Sequence, residues 1–234
     1  MALYFAARIH ALTGFDADST GDTETGQDFD EHTAQWMTEA AKEVINILPT
    51  KLKQKCTTIT ALANDTPMDL DSIGEILYVT RKNDDSGYHV PCREISPIYG
   101  SLAEDPNSMH YAKDNDPVYW VTSNASDVPK LFIKPDPSST QGANVYHVFY
   151  PIFTAGDTET YDVSQKTIIE NFPDEAENLV VLRAAILAAE YQMAAEQDME
   201  VYATIVSNLK QEYQQGILAL QTGSVVPPQQ QGAR

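Results

Sequence analysis

Apolar residues recur along this chain at a helical spacing, then at a strand spacing, then at a helical spacing again. In "FDEHTAQWMTEAAKEVINIL" the side chains of Trp36, Ala40, Val44 and Ile47 fall on one face, which predicts an amphipathic helix. Asp28 with Glu31 has the form of a capping box before it, and Pro49 stops it. A shorter helix is expected over residues 2–12, ended by Gly14. From about Thr57 the period shortens. "GEILYVTRKNDDSGYHVPCREIS" predicts two strands around an Asp-Asp-Ser-Gly turn. "PVYWVTS", "KLFIKPDP" and "NVYHVFYPIF" predict further strands, rich in the aromatic and β-branched residues that a half-buried pleated surface favours. Pro135, Pro137 and Pro151 stand at the ends of these runs, where a missing N–H is tolerated.

Beyond Pro173 the helical period returns. Leu179, Leu182, Ile186, Ala189 and Met193 form one stripe, and Met199, Tyr202, Val206, Leu209 and Tyr213 form a second. The two are out of phase across "EQD", where Asp198 can act as an N-cap, so a helical hairpin is expected rather than one rod. The first arm also carries Val180, Val181, Ala184 and Leu187 on its other faces. Such a helix is expected to be buried on several sides, by its own domain and by a neighbouring subunit. Val180, Ala184, Leu187 and Tyr191 are the residues expected to pack against that subunit.

The expected class is therefore α+β: a helical bundle built from both ends of the chain, with a β-sandwich or barrel-like insertion. The expected divisions are 1–55 for the first helices, 56–169 for the β insert, 170–221 for the hairpin, and 222–234 for an extended arm. The arm, "TGSVVPPQQQGAR", has too few apolar residues to support a packed core.

Composition narrows the function classes. A net charge of −19 over 234 residues disfavours an electrostatic grip on nucleic acid or an anionic membrane. No run of 18 apolar residues is present, and "MALYFAARIHAL" lacks the cationic start of a signal peptide. Two cysteines, Cys56 and Cys92, do not make a disulfide scaffold and read as reduced thiols.

The chemical candidates are few. Asp16, Asp18, Thr20, Gly21 and Asp22 imitate the start of a calcium loop, but the twelfth position is Gln27 where a bidentate Glu is needed. A solvated acidic loop is the better reading. His89 and Cys92 have the spacing of half a zinc site, and no second pair completes it. No nucleophile elbow, phosphate-binding loop or dinucleotide turn appears, so no catalytic residue, cofactor or metal is expected.

Helices at both ends around a β insert, carried by "QWMTEAAKEVINILP", "LFIKPDP", "NVYHVFYPIF" and "ENLVVLRAAILAAEYQMAAEQDMEVYATIVSNLKQEYQQ", resemble the head-to-tail adaptors of tailed bacteriophages. The likeness spans most of the chain; the acidic loop at 16–31 and the segment 96–116 fall outside it. It implies a non-enzymatic virion protein, assembling as a ring of usually twelve subunits between the portal and the tail. Packaged DNA passes through such a ring without specific binding. It further implies that the C-terminal arm reaches toward the portal, with Val225 and Val226 as apolar anchor and Pro227 and Pro228 holding the backbone extended. A stopper or tail-terminator protein of the neck, or a β-sandwich binding module unrelated to virions, are the alternatives.

Overall fold

A computed structural model of the chain describes residues 3–14, 25–70, 73–83, 87–123, 128–154, 162–195 and 199–222. It is an α+β protein that divides into two compact units, Met1–Cys56 with Tyr150–Arg234, and Thr57–Phe149.

The first unit is helical. Its elements are α1 (Phe5–Thr13), α2 (Thr25–Ile47), the single turn α3 (Thr50–Lys53), α4 (Asp174–Ala195) and α5 (Met199–Thr222). Gly14 ends α1 in the left-handed region, φ 77°, donating its N–H to the His10 carbonyl, a position that suits a residue without Cβ. The centre of the unit is α4, which packs on α1, α2 and α5. That is why its sequence is apolar nearly all round: Val180, Val181, Leu182, Ala184, Ala185, Ile186, Ala188 and Ala189 are all buried. Each neighbour is also tied to it by a charge pair. Arg8 of α1 meets Glu177 at 2.7 Å, Glu43 of α2 meets Arg183 at 2.7 Å, and Lys210 of α5 meets Glu190 at 2.7 Å. The Lys210–Glu190 pair and the approach of Gly216 to Leu179 place α4 and α5 antiparallel, the expected hairpin.

Residues 150–169 go with the helices and not, as the sequence suggested, with the β insert. Phe153, Val163 and Ile169 are buried, and Phe5 meets the Phe153 ring edge-on at 5.8 Å. The backbone N–H groups of Phe5 and Ala6 donate to the carbonyls of Lys166 and Val163, both at 3.2 Å. The first turn of α1 thus satisfies its free donors against this segment.

Among the described residues the second unit holds two four-stranded sheets. One has the order β1 (Thr57–Leu62), β8 (Ala143–Phe149), β3 (Ile73–Lys82), β4 (His89–Pro91), all antiparallel. The other has the order β2 (Met68–Asp69), β7 (Pro129–Lys134), β6 (Val118–Ser123), β5 (Arg93–Glu94). Val79, Ala143 and Val145 of the first sheet and Tyr119, Leu131 and Ile133 of the second share one core. The insert is therefore a sandwich; the sheets do not close into a barrel. The expected β3–β4 hairpin forms with Thr80 opposite Pro91, and its Gly87 has φ 74°.

The outer faces of the two sheets differ. The second sheet carries Val118, Trp120 and Phe132 there, and the segment from Ile95 to Ala112 covers them. Its 3-10 turn, Pro97–Ala103, sits so close that a Cβ on Gly100 would lie 2.8 Å from Trp120 Cε2. On the first sheet, Ile59, Tyr146 and Tyr78 stand opposite one another across β1, β8 and β3. Ile59 and Tyr78 remain 55% and 48% exposed.

Candidate interaction surfaces

The four positions expected to face a neighbouring subunit lie on one stripe of α4, and the chain covers most of that stripe itself. Val180 and Ala184 are fully buried and Leu187 is half-buried. Tyr191 is exposed, but its ring lies 5.6 Å from Trp36 and 5.2 Å from His32, both on α2. At this end the stripe meets α2. Expectation and structure part here because an apolar periodicity shows that a face is covered, not which chain covers it. The expected portal contacts Val225, Val226, Pro227 and Pro228 lie outside the described residues, as do Asp16, Asp18, Thr20, Gly21, Asp22 and the cap residue Asp198.

Beside the stripe, Glu43 receives hydrogen bonds from Arg183 at 2.7 Å and from the Tyr213 hydroxyl at 3.3 Å. Burial, reinforced by Glu43, pushes the Tyr213 phenol up to about 12. The hydrogen bond from the protonated phenol to Glu43 links α5 to α2.

His89 and Cys92 do not converge on a metal. His89 is exposed, with its Nδ1 3.3 Å from the Thr80 hydroxyl, while Cys92 packs against the core between the sheets. Burial pushes the Cys92 thiol up to about 12, opposing the thiolate that a metal ligand requires. Among the described residues no cluster of three or more His, Cys, Asp or Glu side chains could hold a metal ion.

The basic side chains are largely spoken for. Arg8, Lys55, Arg81, Arg93, Lys130, Lys134, Lys166, Arg183 and Lys210 all lie within ion-pair distance of a carboxylate. Arg81 is the deepest of them. Buried in the sandwich, it donates to Asp114 at 2.9 Å and to the Gln141 side chain at 3.0 Å, tying two loops to β3. With these cations neutralised by partners, the protein's surface field is set by its excess of acids.

The sequence left the segment 96–116 unexplained. The structure gives it two roles: Ala103 and Ala112, with Ile95 just before them, close the second sheet, while Ile98, Tyr99, Leu102 and Met109 stay exposed. Tyr99 stacks on His110 at 4.3 Å, which holds that turn in place. Small residues such as Ala103 and Ala112 give almost no periodic signal, so this cover could not be seen beforehand.

No helix among the described residues is long and apolar enough to cross a membrane. No protein-family model matches the chain, and no curated protein matches it at a significant level.

Proposed function

We propose that this chain is a structural, non-enzymatic virion protein, a head-to-tail adaptor that forms a ring between the portal and the tail. The observation carrying the reading is the discontinuous helical unit, built from residues before 57 and after 149, with a β-sandwich inserted between. That is the organisation of the phage adaptors the sequence resembles. A second feature supports it. With net charge −19 and most cations held in ion pairs, a lumen lined by this protein would repel duplex DNA and let it slide.

The all-round apolar α4 is covered by α1, α2 and α5 and needs no neighbouring subunit. Subunit contacts in the adaptor reading therefore fall on other surfaces, and the C-terminal arm, residues 222–234, is the proposed portal contact.

The test is to mix the purified chain with the portal ring of the same phage and measure the native mass of the product. The expected species carries several 25.9 kDa copies per portal ring, visible as a collar by electron microscopy. Loss of docking on deleting residues 222–234 would place the contact in the arm. A chain that stays at 25.9 kDa and leaves the portal bare would refute the adaptor reading. The uncovered aromatic row on the first sheet favours one other reading, a β-sandwich binding module, which that second outcome would support.

A further inference from the structure

Among the described residues the two sheets have four edges between them, and three are blunted. Strands β2 and β5 are two residues long, with β5 made wholly of charged residues, and β4 is three residues long and ends in Pro91. Short edge strands, charges and proline are the usual defences against another chain adding to a sheet. The fourth edge, β1, has none of them. Its sequence, Thr-Thr-Ile-Thr-Ala-Leu, is six residues with no charge, no proline and no glycine. Among the described residues its backbone pairs with β8 alone.

The sheet face beside this edge is also neutral. One cross-strand row is Ile59, Tyr146 and Tyr78, the two tyrosines stacked at 4.1 Å. The next row is Ala61, Asn144, Thr80 and Pro91. Neither contains a charged residue. The corresponding rows on the second sheet are covered by the segment 95–112, whereas Ile59, Ala61 and Tyr78 are open to solvent.

We propose that a second copy of this chain docks on β1, its own β1 running antiparallel, to make one continuous eight-stranded sheet across a two-fold axis. Charge selects the place, and the uncharged sequence of β1 selects the occupant. Two copies at −19 each repel, so they can approach closely only where both surfaces are neutral. The strand is self-complementary: run antiparallel about a two-fold axis at Ile59, Thr57 faces Ala61, Thr58 faces Thr60 and Ile59 faces Ile59 of the other copy, so that opposed side chains share a face of the sheet. All three pairs join uncharged, mostly β-branched side chains that suit a ladder. Ile59 of each copy then flanks the seam and loses exposed apolar surface. An isologous contact of this kind closes on itself and makes a dimer, not a filament.

The inference does not rest on the adaptor reading. Sedimentation equilibrium of the full chain over about a hundred-fold range of concentration reads the association directly. The expected result is a reversible dimer, weak because the contact is small, that tightens in high salt as the repulsion is screened. Amide hydrogen exchange in the same samples should show β1 slowing as the dimer fills. Ile59→Lys should weaken the dimer at least about tenfold by setting like charges across the seam, and Pro91→Lys on the blunted edge should leave it unchanged. If Ile59→Lys fails to fold, Ala61→Lys tests the same face. A chain monomeric at every concentration and salt overturns the proposal. So does a dimer whose β1 amides exchange as in the monomer. A chain that is monomeric alone but rings on the portal sinks this inference and leaves the adaptor reading standing; a β1 dimer that ignores the portal does the reverse.

Discussion

The two arms of the hairpin, α4 and α5, have similar lengths and opposite characters. α4 buries residues on every side, from Ala176 to Ala189, because three helices surround it. α5 buries Val206, Leu209 and Tyr213 on a single stripe and presents Lys210, Gln211, Gln214 and Gln215 to solvent. The lesson concerns how far an amphipathic pattern can be pushed. A one-sided stripe names one neighbour, and for α5 that neighbour is within the chain. An all-round pattern says only that the helix is central. It invites a second subunit as explanation, yet here the chain's own ends supply the cover.

The difference can be broken most sharply by charge. Ile186→Asp on α4 should bury an unpaired carboxylate at a fully enclosed site and cost about 3–5 kcal/mol, enough to unfold the helical unit. Leu209→Asp on α5 should cost less, about 2–3 kcal/mol, because that helix can lift its exposed side toward water. Denaturant melts followed by helical circular dichroism rank the two, and equal costs would erase the distinction between the arms.

The contact between the arms offers a finer test. A Cβ on Gly216 would stand 2.3 Å from Leu179 Cδ2, so Gly216→Ala must displace a buried leucine. The gain in helix propensity, about 1 kcal/mol, offsets part of the overpacking, and a net loss of about 1 kcal/mol is expected. Adding Leu179→Ala should make the Gly216→Ala substitution favourable, and a double-mutant cycle measures that coupling. Purely additive effects would mean that the arms do not meet there.

Smaller still is the ring cluster at the open end of α4. Tyr191→Leu keeps apolar bulk but loses the contacts with Trp36 and His32, and should cost about 0.5–1.5 kcal/mol in thermal melts. No effect would show that the exposed end of the stripe is idle in the free chain, and so available to a partner.

The smallest effect lies in the β unit. His147 is buried, with Nε2 3.0 Å from the Thr60 hydroxyl and Nδ1 3.3 Å from the Val148 carbonyl. A carbonyl only accepts, so Nδ1 carries the proton, and the neutral ring can take the Thr60 proton at Nε2. Burial lowers the His147 pKa, although the Val148 carbonyl opposes the shift. The unfolded chain therefore binds this proton first as pH falls, and the contribution of His147 to stability declines below about 6.5, the unperturbed value. Relief of acidic repulsion changes stability over the same range, so the wild type must be compared with His147→Gln. The gap in Tm between them should change between pH 7 and pH 5, with the wild type losing more; a constant gap would contradict the neutral buried ring.

Much of the fold was legible because its signals are local. The change of period near Thr57 marks the start of the β unit at the boundary the structure shows, and the paired stripes give the hairpin. What was not legible is who covers what. Phe153, Val163 and Ile169 have no period of their own, so residues 150–169 read as a continuation of the strands, yet they pack with the helices. His89 and Cys92 look paired in sequence, but one side chain faces solvent and the other the core, a separation set by the strand's alternation. The candidate surface at β1 was invisible for a related reason: an edge is a property of the strand order, not of the strand.

Hydrogen exchange on α4 in a dilute, demonstrably monomeric sample tests the central claim most directly, that one chain encloses this helix. The amides between Leu179 and Ala189 should exchange only by global unfolding of the helical unit, slower than those of α5, and at a rate independent of protein concentration. Fast exchange in α4 that slows only as concentration rises would mean that a neighbouring subunit provides the cover, and would contradict the account.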